Sequence, residues 1–556
     1  MKSVIYRLEE TMQYYMSIAY AVDLTYWQQK GQNMIPLFYT SSFGEAYQWI
    51  EQQEQQKMDP FEQDVKPFYK DQWNQLRLEA EKCFEMLQGR ALLWSEVLSL
   101  IRKRNIKITE ETLRAVLQLL YLEEKVKWYP GVSCSKWLQD WVCHRCQADF
   151  HHIRLTRCAS CGKHCAMCEH CIMLSRSRTC TPFFLFSAKK VEQQCPVEVK
   201  SLRLTAGQAR VSEQILDFLQ GEEMMFLLWA VTGAGKTEMM VPAIRHLLSE
   251  GKRVCWTTPR TDVVHELVPR LRALFPKENV LALYGGSSDL WMDGSIVIAT
   301  AHQALRYVQV FDLIIVDEVD AFPLYQNRSL EQGIHRALSQ SGKIVLLTAT
   351  PPKEWLAWSR SGRLPSAILP VRFHGYPLPV PRLFQERRLW EKVKRQHPIP
   401  VLSRFIEQVI RKDGQAMIFV PGIWQVKQLV SWLHKHVREW HSICGVYSQT
   451  PERAEIIDQF RRKELQCLVT TTILERGVTV PHCHVLVMGA DHPVFDQAAL
   501  IQMAGRVGRS KDYQQGEVWF LSMEKTESQI QAKKQMDYLN SLAEKEGFIK
   551  QGAYYQ

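Results

Sequence analysis

Between residues 201 and 371 short apolar runs alternate with longer stretches in which apolar residues recur at helical spacing. The runs are MMFLLWAV, RVCWTTP, NVLALYGG, SIVIAT, FDLIIVDEV and KIVLLTAT. Continuous apolar runs of this length predict strands buried on both faces, and helical stretches between them predict a parallel α/β sheet. A proline-rich strip, HGYPLPVPRL, interrupts both periods and reads as a linker. The alternation then resumes over residues 400–535 with AMIFVPG, SICGVYS, LQCLVTTT, HVLVMGA and GEVWFLS, which predicts a second sheet of the same kind. Residues 1–135 carry apolar positions at three- and four-residue steps, as in TEETLRAVLQLLYLEEKVKWY around 109–129, so this region is expected to be mainly helical. The run EQQEQQK near residue 51 reads as a solvated helix face or loop, and a helix with a polar tail is expected from about Glu527. The expected divisions are 1–135, 136–182, 200–375, a linker 376–399, 400–535 and a tail 536–556.

Composition narrows the class. Of 556 residues, 46% are hydrophobic and 23% charged, as in an ordinary globular protein. The net charge of +10 permits a polyanionic partner without requiring one. No apolar run reaches the length of a membrane span. Glu9 and Glu10 fall where a signal peptide needs an uninterrupted apolar stretch, so a cytoplasmic protein is expected. In a reducing compartment clustered cysteines point to metal. Eight of the 15 cysteines lie between Cys143 and Cys180.

Those eight read Cys143-x2-Cys146, Cys158-x2-Cys161, Cys165-x2-Cys168-x2-Cys171 and Cys180. A C-x-x-C pair puts two thiolates on one tight turn, and two pairs complete a closed tetrahedral Zn²⁺ site. Two zinc ions are expected, in a structural or recognition role because a Cys₄ site leaves no open position. Spacing leaves the partition open. One choice is sequential, with Cys143, Cys146, Cys158 and Cys161 at one ion and the other four at the second. The other is crossed, with Cys143, Cys146, Cys168 and Cys171 at one ion and Cys158, Cys161, Cys165 and Cys180 at the other. His144, His151, His152, His164 and His170 lie among them and are expected to stay outside the coordination shell.

The chemistry of the first α/β region begins at Ala230-Val-Thr-Gly-Ala-Gly-Lys-Thr237, between a strand and a helix. This matches the phosphate-binding loop G-x-x-x-x-G-K-[ST] except for Ala230 in place of the first Gly. Thr232, Gly233, Ala234, Gly235 and Glu238 would surround the phosphates of ATP. Lys236 would reach the β- and γ-phosphates and Thr237 would ligate Mg²⁺. Downstream, the strand LIIV delivers Asp317 and Glu318 at its end. Asp317 suits the Mg²⁺ shell and Glu318 suits the base that takes a proton from the attacking water.

From here the chain resembles superfamily-2 helicases and translocases, whose remaining motifs follow in order. LTAGQ, ending at Gln208, is similar to the family's adenine-sensing segment. TTPR with Pro259 and Arg260, Gly285-Gly286, and TAHQ from Thr300 are similar to its strand-contacting motifs. Thr348-Ala349-Thr350 is similar to its coupling element. VTTTILERGVT, with Thr471 and Gly477, and QMAGRVGR are similar to motifs five and six. The resemblance covers roughly residues 200–535. It implies two tandem RecA-like lobes and an ATP hydrolase, with Gly477 near the nucleotide. Gln502 would position the water, and Arg506 and Arg509 would stabilise charge on the transferring phosphoryl group. Pro259, Arg260, Gly285, Thr300 and Thr471 would contact single-stranded DNA.

The cysteine module ahead of such a motor, with CAMCEHCIMLSRSRTC, HGYPLPVPR and GADHPVFDQAALIQMAGRVGRS, resembles the ComFA family of competence proteins. Some members of that family keep only the pairs matching Cys143/Cys146 and Cys168/Cys171, which implies the crossed partition. The resemblance implies an ATP-driven single-stranded DNA translocase for uptake of transforming DNA. It would sit peripherally at the inner face of the cell membrane, with a ComEC-type channel and ComFC-like and DprA-like proteins as partners. It leaves the first 130 residues unassigned. Two rivals remain: a PriA-like replication-restart helicase, and a zinc-dependent nucleic-acid-binding scaffold with weak ATPase. Cysteines ahead of the first lobe speak against the former, and the full set Lys236, Asp317, Glu318, Arg506 and Arg509 against the latter.

Overall fold

The computed structural model describes residues 3–52, 59–60, 65–134, 141–188, 196–321, 324, 326–475 and 480–550. Contacts divide the chain into two units. One is 1–200 with 245–317 and 321–344; the other is 201–244 with 318–320 and 345–556. Most of the charged run near residue 51 lies outside the described residues, its first two residues closing the helix Phe43–Gln52.

The N-terminal region is mainly helical, with Tyr20–Gln29, Phe43–Gln52, Lys70–Leu87, Trp94–Lys103 and Glu110–Leu122. It also holds a four-stranded antiparallel sheet in the order Tyr14–Ser17, Ser3–Leu8, Met34–Thr40, Asp59–Pro60. Asp23 fastens this sheet to the helices. It is fully buried and accepts hydrogen bonds from Tyr6 Oη at 2.7 Å, Gln118 Nε2 at 2.9 Å and Ser17 Oγ. Burial pushes its carboxyl up to about 7 against the pull of those donors.

The helix expected through residue 129 stops at Leu122. Glu124 takes a φ of 58°, which turns the chain out of the helix. Val126–Pro130 then becomes a strand that pairs with Pro182–Phe186, and Pro182–Phe186 pairs with Ala91–Leu93. The apolar steps run across the turn unchanged, so the helical period overshoots. This three-stranded sheet ties the stretch before the cysteines to the stretch after them.

The first α/β region forms a seven-stranded sheet. Its order is Val280–Leu283, Ile296–Thr300, Val254–Thr258, Phe311–Asp317, Leu338–Thr348, Met225–Ala230, Ser366–Leu369. The first four are parallel neighbours, and Met225–Ala230 runs parallel to Ser366–Leu369. The second region is a six-stranded parallel sheet. Its order is Arg382–Gln385, Val518–Ser522, Cys483–Met488, Gln415–Phe419, Cys467–Thr470, Ile443–Val446. These are the two RecA-like lobes.

Two of the expected divisions change. The strip 376–399 is no free linker: Arg382–Gln385 is an edge strand of the second sheet, and Leu389 and Val393 lie in that lobe's core. Its prolines break both periods yet stop short of the paired residues, where an edge strand tolerates them. The tail drawn at 536 is also cut short. The helix Glu527–Lys545 runs through that point with Met536, Leu539 and Ala543 buried on one face.

Candidate functional site

The nucleotide loop leaves the strand Met225–Ala230 and enters the helix Lys236–Ser249. Ala230 replaces the first glycine without conflict because it is still a strand residue, paired with Leu369. The loop needs positive φ at Gly233 and Gly235, 82° at each. Lys236 and Thr237 follow as the helix opens, where amide groups gather an anion. Gln208 sits in the helix Ala206–Gln220 and is buried. Its Nε2 donates to Ala234 O at 2.9 Å and its Oε1 accepts from Thr205 N at 2.9 Å, so its amide braces the loop backbone.

Asp317 closes the strand Phe311–Asp317, and Glu318 follows with a φ of 51°. That left-handed turn is uncommon for a residue with a Cβ and re-aims the chain at the carboxylate pair. Asp320, three residues beyond Asp317, is tied to the coupling element. It accepts from Thr348 Oγ1 at 2.6 Å and Thr350 Oγ1 at 2.7 Å. Trp229 Nε1 donates to the intervening Ala349 O at 3.1 Å.

Gln502 is buried on the helix Gln497–Ala504, and Arg506 and Arg509 follow it. Arg506 Nε donates to Glu475 O at 3.1 Å, and Arg509 Nε to Gly505 O at 2.9 Å. The structure adds Arg372, which the sequence did not single out. It is 1% exposed. Its Nε donates to Thr232 O at 3.2 Å, Nη2 to Gly505 O at 3.2 Å, and Nη1 to Gly508 O at 2.7 Å and also to Val507 O. Gly477 lies outside the described residues.

The expected strand-contacting residues are placed by sheet register. Thr258 pairs with Thr300 and Leu283 with Ala299 in neighbouring parallel strands. The segments carrying Pro259-Arg260, Thr300 and Gly285 therefore leave one edge of the sheet, the carboxyl edge where open α/β sheets bind ligands. Arg260 precedes the helix Thr261–Leu274 and Gly285 is exposed. Thr471 follows the strand Cys467–Thr470 at the matching end of the second sheet.

The eight thiols gather in the crossed sets, Cys143, Cys146, Cys168 and Cys171, and Cys158, Cys161, Cys165 and Cys180. Within each set all sulfurs lie within 4.8 Å of one another. Cys143 and Cys171 are 3.8 Å apart, Cys146 and Cys168 3.6 Å, Cys158 and Cys180 3.7 Å, and Cys161 and Cys165 3.2 Å. Four sulfurs at the usual Zn–S length of about 2.3 Å stand roughly 3.8 Å apart, so both sets fit a tetrahedral zinc. Among the described residues neither set includes a histidine.

A buried charge cluster surrounds the first set and was also missed. Glu96 Oε1 accepts from Arg145 Nη2 at 2.6 Å and from Arg306 Nε at 2.8 Å. Burial would push this carboxyl up, but the two guanidiniums outweigh that and hold it below the usual range. Arg145 lies between Cys143 and Cys146, and Arg306 also donates to Gln303 of TAHQ. Arg336 donates to the carbonyls of His144 at 3.2 Å and Arg145 at 2.6 Å. Burial, with Arg145 beside it, lowers Arg336 to about 10.

Three family models match the chain. The competence protein ComFA N-terminal domain covers residues 78–185, the DEAD/DEAH box helicase 205–357, and the helicase conserved C-terminal domain 400–511. The competence protein ComFA of Bacillus subtilis is 35% identical over 464 residues, 81% of this chain and 96% of that protein. The chain belongs to the ComFA family. The ComFA of Streptococcus pneumoniae is 36% identical over 353 residues, 64% of this chain and 81% of the relative. With both helicase domains present, this ComFA-family chain is an ATP-hydrolysing, helicase-type enzyme associated with competence. The ComFA N-terminal domain begins well before the cysteines, so part of the stretch expected to lie outside the resemblance belongs to the family; the three-stranded sheet that joins the two sides is the physical reason. Among solved structures, Dbp5 of Saccharomyces cerevisiae bound to RNA and ADP BeF3 is 16% identical. It covers 61% of this chain and 88% of its own with a TM-score of 0.46, which adds nothing to the assignment. Among the described residues no helix is long and apolar enough to cross a membrane.

Proposed function

We propose that this ComFA-family enzyme is a single-stranded DNA translocase that spends ATP to draw transforming DNA into the cytoplasm. The observation that carries the reading is the match to a curated competence protein along 96% of that protein's length. The order of the motor residues supports it. Lys236 and the loop amides would hold the phosphates of ATP, Glu318 would take the proton of the attacking water, and Gln502 would orient that water. Arg506 and Arg509 would stabilise the charge that develops on the phosphoryl oxygens. Mg²⁺, held by Thr237 and Asp317, would neutralise the β- and γ-phosphate oxygens. The nucleotide loop and the arginines belong to different lobes, so ATP favours their closure and loss of the γ-phosphate releases it. Pro259, Arg260, Gly285, Thr300 and Thr471 would grip the sugar–phosphate backbone, which carries no sequence information.

In this reading both cysteine sets hold structural zinc. The enzyme works peripherally at the inner face of the membrane beside a ComEC-type channel, with ComFC-like and DprA-like partners. The test is ATP hydrolysis by the purified chain with single-stranded DNA, duplex DNA and RNA. Single-stranded DNA is expected to stimulate most, independently of its sequence, and Glu318→Gln to bind ATP without turning it over. Stimulation by RNA alone would sink the uptake reading, and near-normal turnover by Glu318→Gln would remove Glu318 as the base.

A further inference from the structure

Arg372 lies just before the HGYPLPVPR strip, far in sequence from both the nucleotide loop and the segment Gly505–Arg509. Its guanidinium nevertheless spends its donors on four backbone carbonyls from those two places, Thr232 on one side and Gly505, Val507 and Gly508 on the other. His374, two residues on, adds an Nε2 contact to Gly508 O at 2.9 Å. The approach is close enough to dictate the glycines. A Cβ at Gly505 would strike the Thr232 side chain, and one at Gly508 would strike Gln514 O and Arg372 Nη1. Gly508 also needs its φ of 68°.

Burying a guanidinium is costly, and an apolar side chain would tether two loops at less expense. Burial, with Arg509 nearby, lowers Arg372 only to about 9, so it stays charged at neutral pH. What a planar fork provides that an apolar tether lacks is direction: several acceptors held in one plane, so that movement of one carbonyl is felt by the rest. The loop amides are the groups that would face phosphate, and the Thr232 carbonyl in the same loop faces Arg372. A loop that shifts on taking up ATP therefore moves an acceptor of this guanidinium.

We infer that Arg372 is a positioning residue that carries the state of the nucleotide loop to the segment Gly505–Arg509. Its effect on turnover rests on the proposed role of Arg506 and Arg509; the mechanical link does not. Arg372→Gln keeps a polar side chain but lacks the fork, and Arg372→Lys keeps the charge while presenting a single ammonium. Both variants are expected to bind ATP with near-normal affinity and to lose about 10²-fold in kcat, the order of loss for a slightly misplaced catalytic group.

The deciding measurement is hydrogen exchange on the full chain, with and without a non-hydrolysable ATP analogue and Mg²⁺. In the parent chain the analogue should slow exchange both at 231–237 and at 503–510, where the amides of Gly505, Arg506 and Val507 close the helix end. In Arg372→Gln it should slow exchange at 231–237 alone. Protection that still spreads to 503–510 in this variant overturns the inference, whatever the kinetics. Failure of both variants to fold would also overturn it, by making Arg372 a purely structural residue. If Arg506→Ala and Arg509→Ala both retain full turnover, the finger reading falls while the exchange result still decides the link.

Discussion

The two cysteine sets bring together four thiols each, yet one is sunk among charges and the other sits at the turn of a hairpin. Cys143, Cys146, Cys168 and Cys171 are each 1% exposed or less, and Arg145 between the first two is wholly buried against Glu96. Cys158, Cys161 and Cys165 flank the turn that joins Ile153–Arg157 to His164–Cys168. There the neighbouring ion pair, Lys163 with Glu45 at 2.8 Å, is half exposed. With zinc in both sets, equal coordination chemistry would serve two jobs. The first set fixes Arg145 and the carbonyls that Arg336 grips, and through Glu96 and Arg306 it reaches the TAHQ segment. The second set closes a turn.

The largest effect that would test this contrast is removal of one thiol from each set. Cys168→Ser and Cys165→Ser should each lose one of two zinc ions by elemental analysis. Cys168→Ser should lower the melting temperature by about 10 °C or more, because the metal supplies folding energy to a site that orders its surroundings. Cys165→Ser should cost a few degrees, and equal losses would break the comparison. Next comes Glu96→Gln, which leaves two guanidiniums buried without their carboxylate. A cost of about 3–5 kcal/mol is expected, read in chemical denaturation, together with a higher single-stranded DNA concentration for half-stimulation of hydrolysis. Stability within error of the parent chain would mean that the cluster does not bear on this fold. Smallest is Lys163→Ala beside the second set, expected to stay within about 1 kcal/mol because water and salt screen so exposed a pair; a loss as large as that of Glu96→Gln would erase the distinction.

How much of this was legible followed from sequence distance. The lobes were readable because strands covered on both faces become unbroken apolar words, and the phosphate loop because its chemistry is packed into consecutive residues. The partition of the cysteines was not fixed by spacing, since either choice closes rings of plausible length; the hairpin Ile153–Arg157/His164–Cys168 settles which thiols meet. The N-terminal sheet escaped because its strands are short, aromatic and partly polar, as in YYMS and MIPLFYT. Arg372, Glu96 and Asp320 escaped for a different reason. Each acts on groups brought in from elsewhere in the chain, and a guanidinium on a carbonyl leaves no mark on the sequence that supplies the carbonyl. Gln208 was found, but its amide is engaged with Ala234 and Thr205, which makes it a brace of the loop as the structure stands.

The far end of the chain leans on that same brace. Phe548 packs where a Cβ at Gly207 would meet its ring, the Arg210 guanidinium lies 4.8 Å from the centre of that ring, and Lys550 N donates to Gly375 O at 2.9 Å. Gly207 and Arg210 flank Gln208, and Gly375 lies three residues beyond Arg372. Proteolytic nicking just ahead of Phe548 is therefore expected to imitate an ATP-site defect in material whose motor residues are all intact. Intact-mass measurement alongside nucleotide titration would separate a damaged end from a damaged site, and a nicked sample that binds ATP as tightly as whole protein would show that this strap is dispensable.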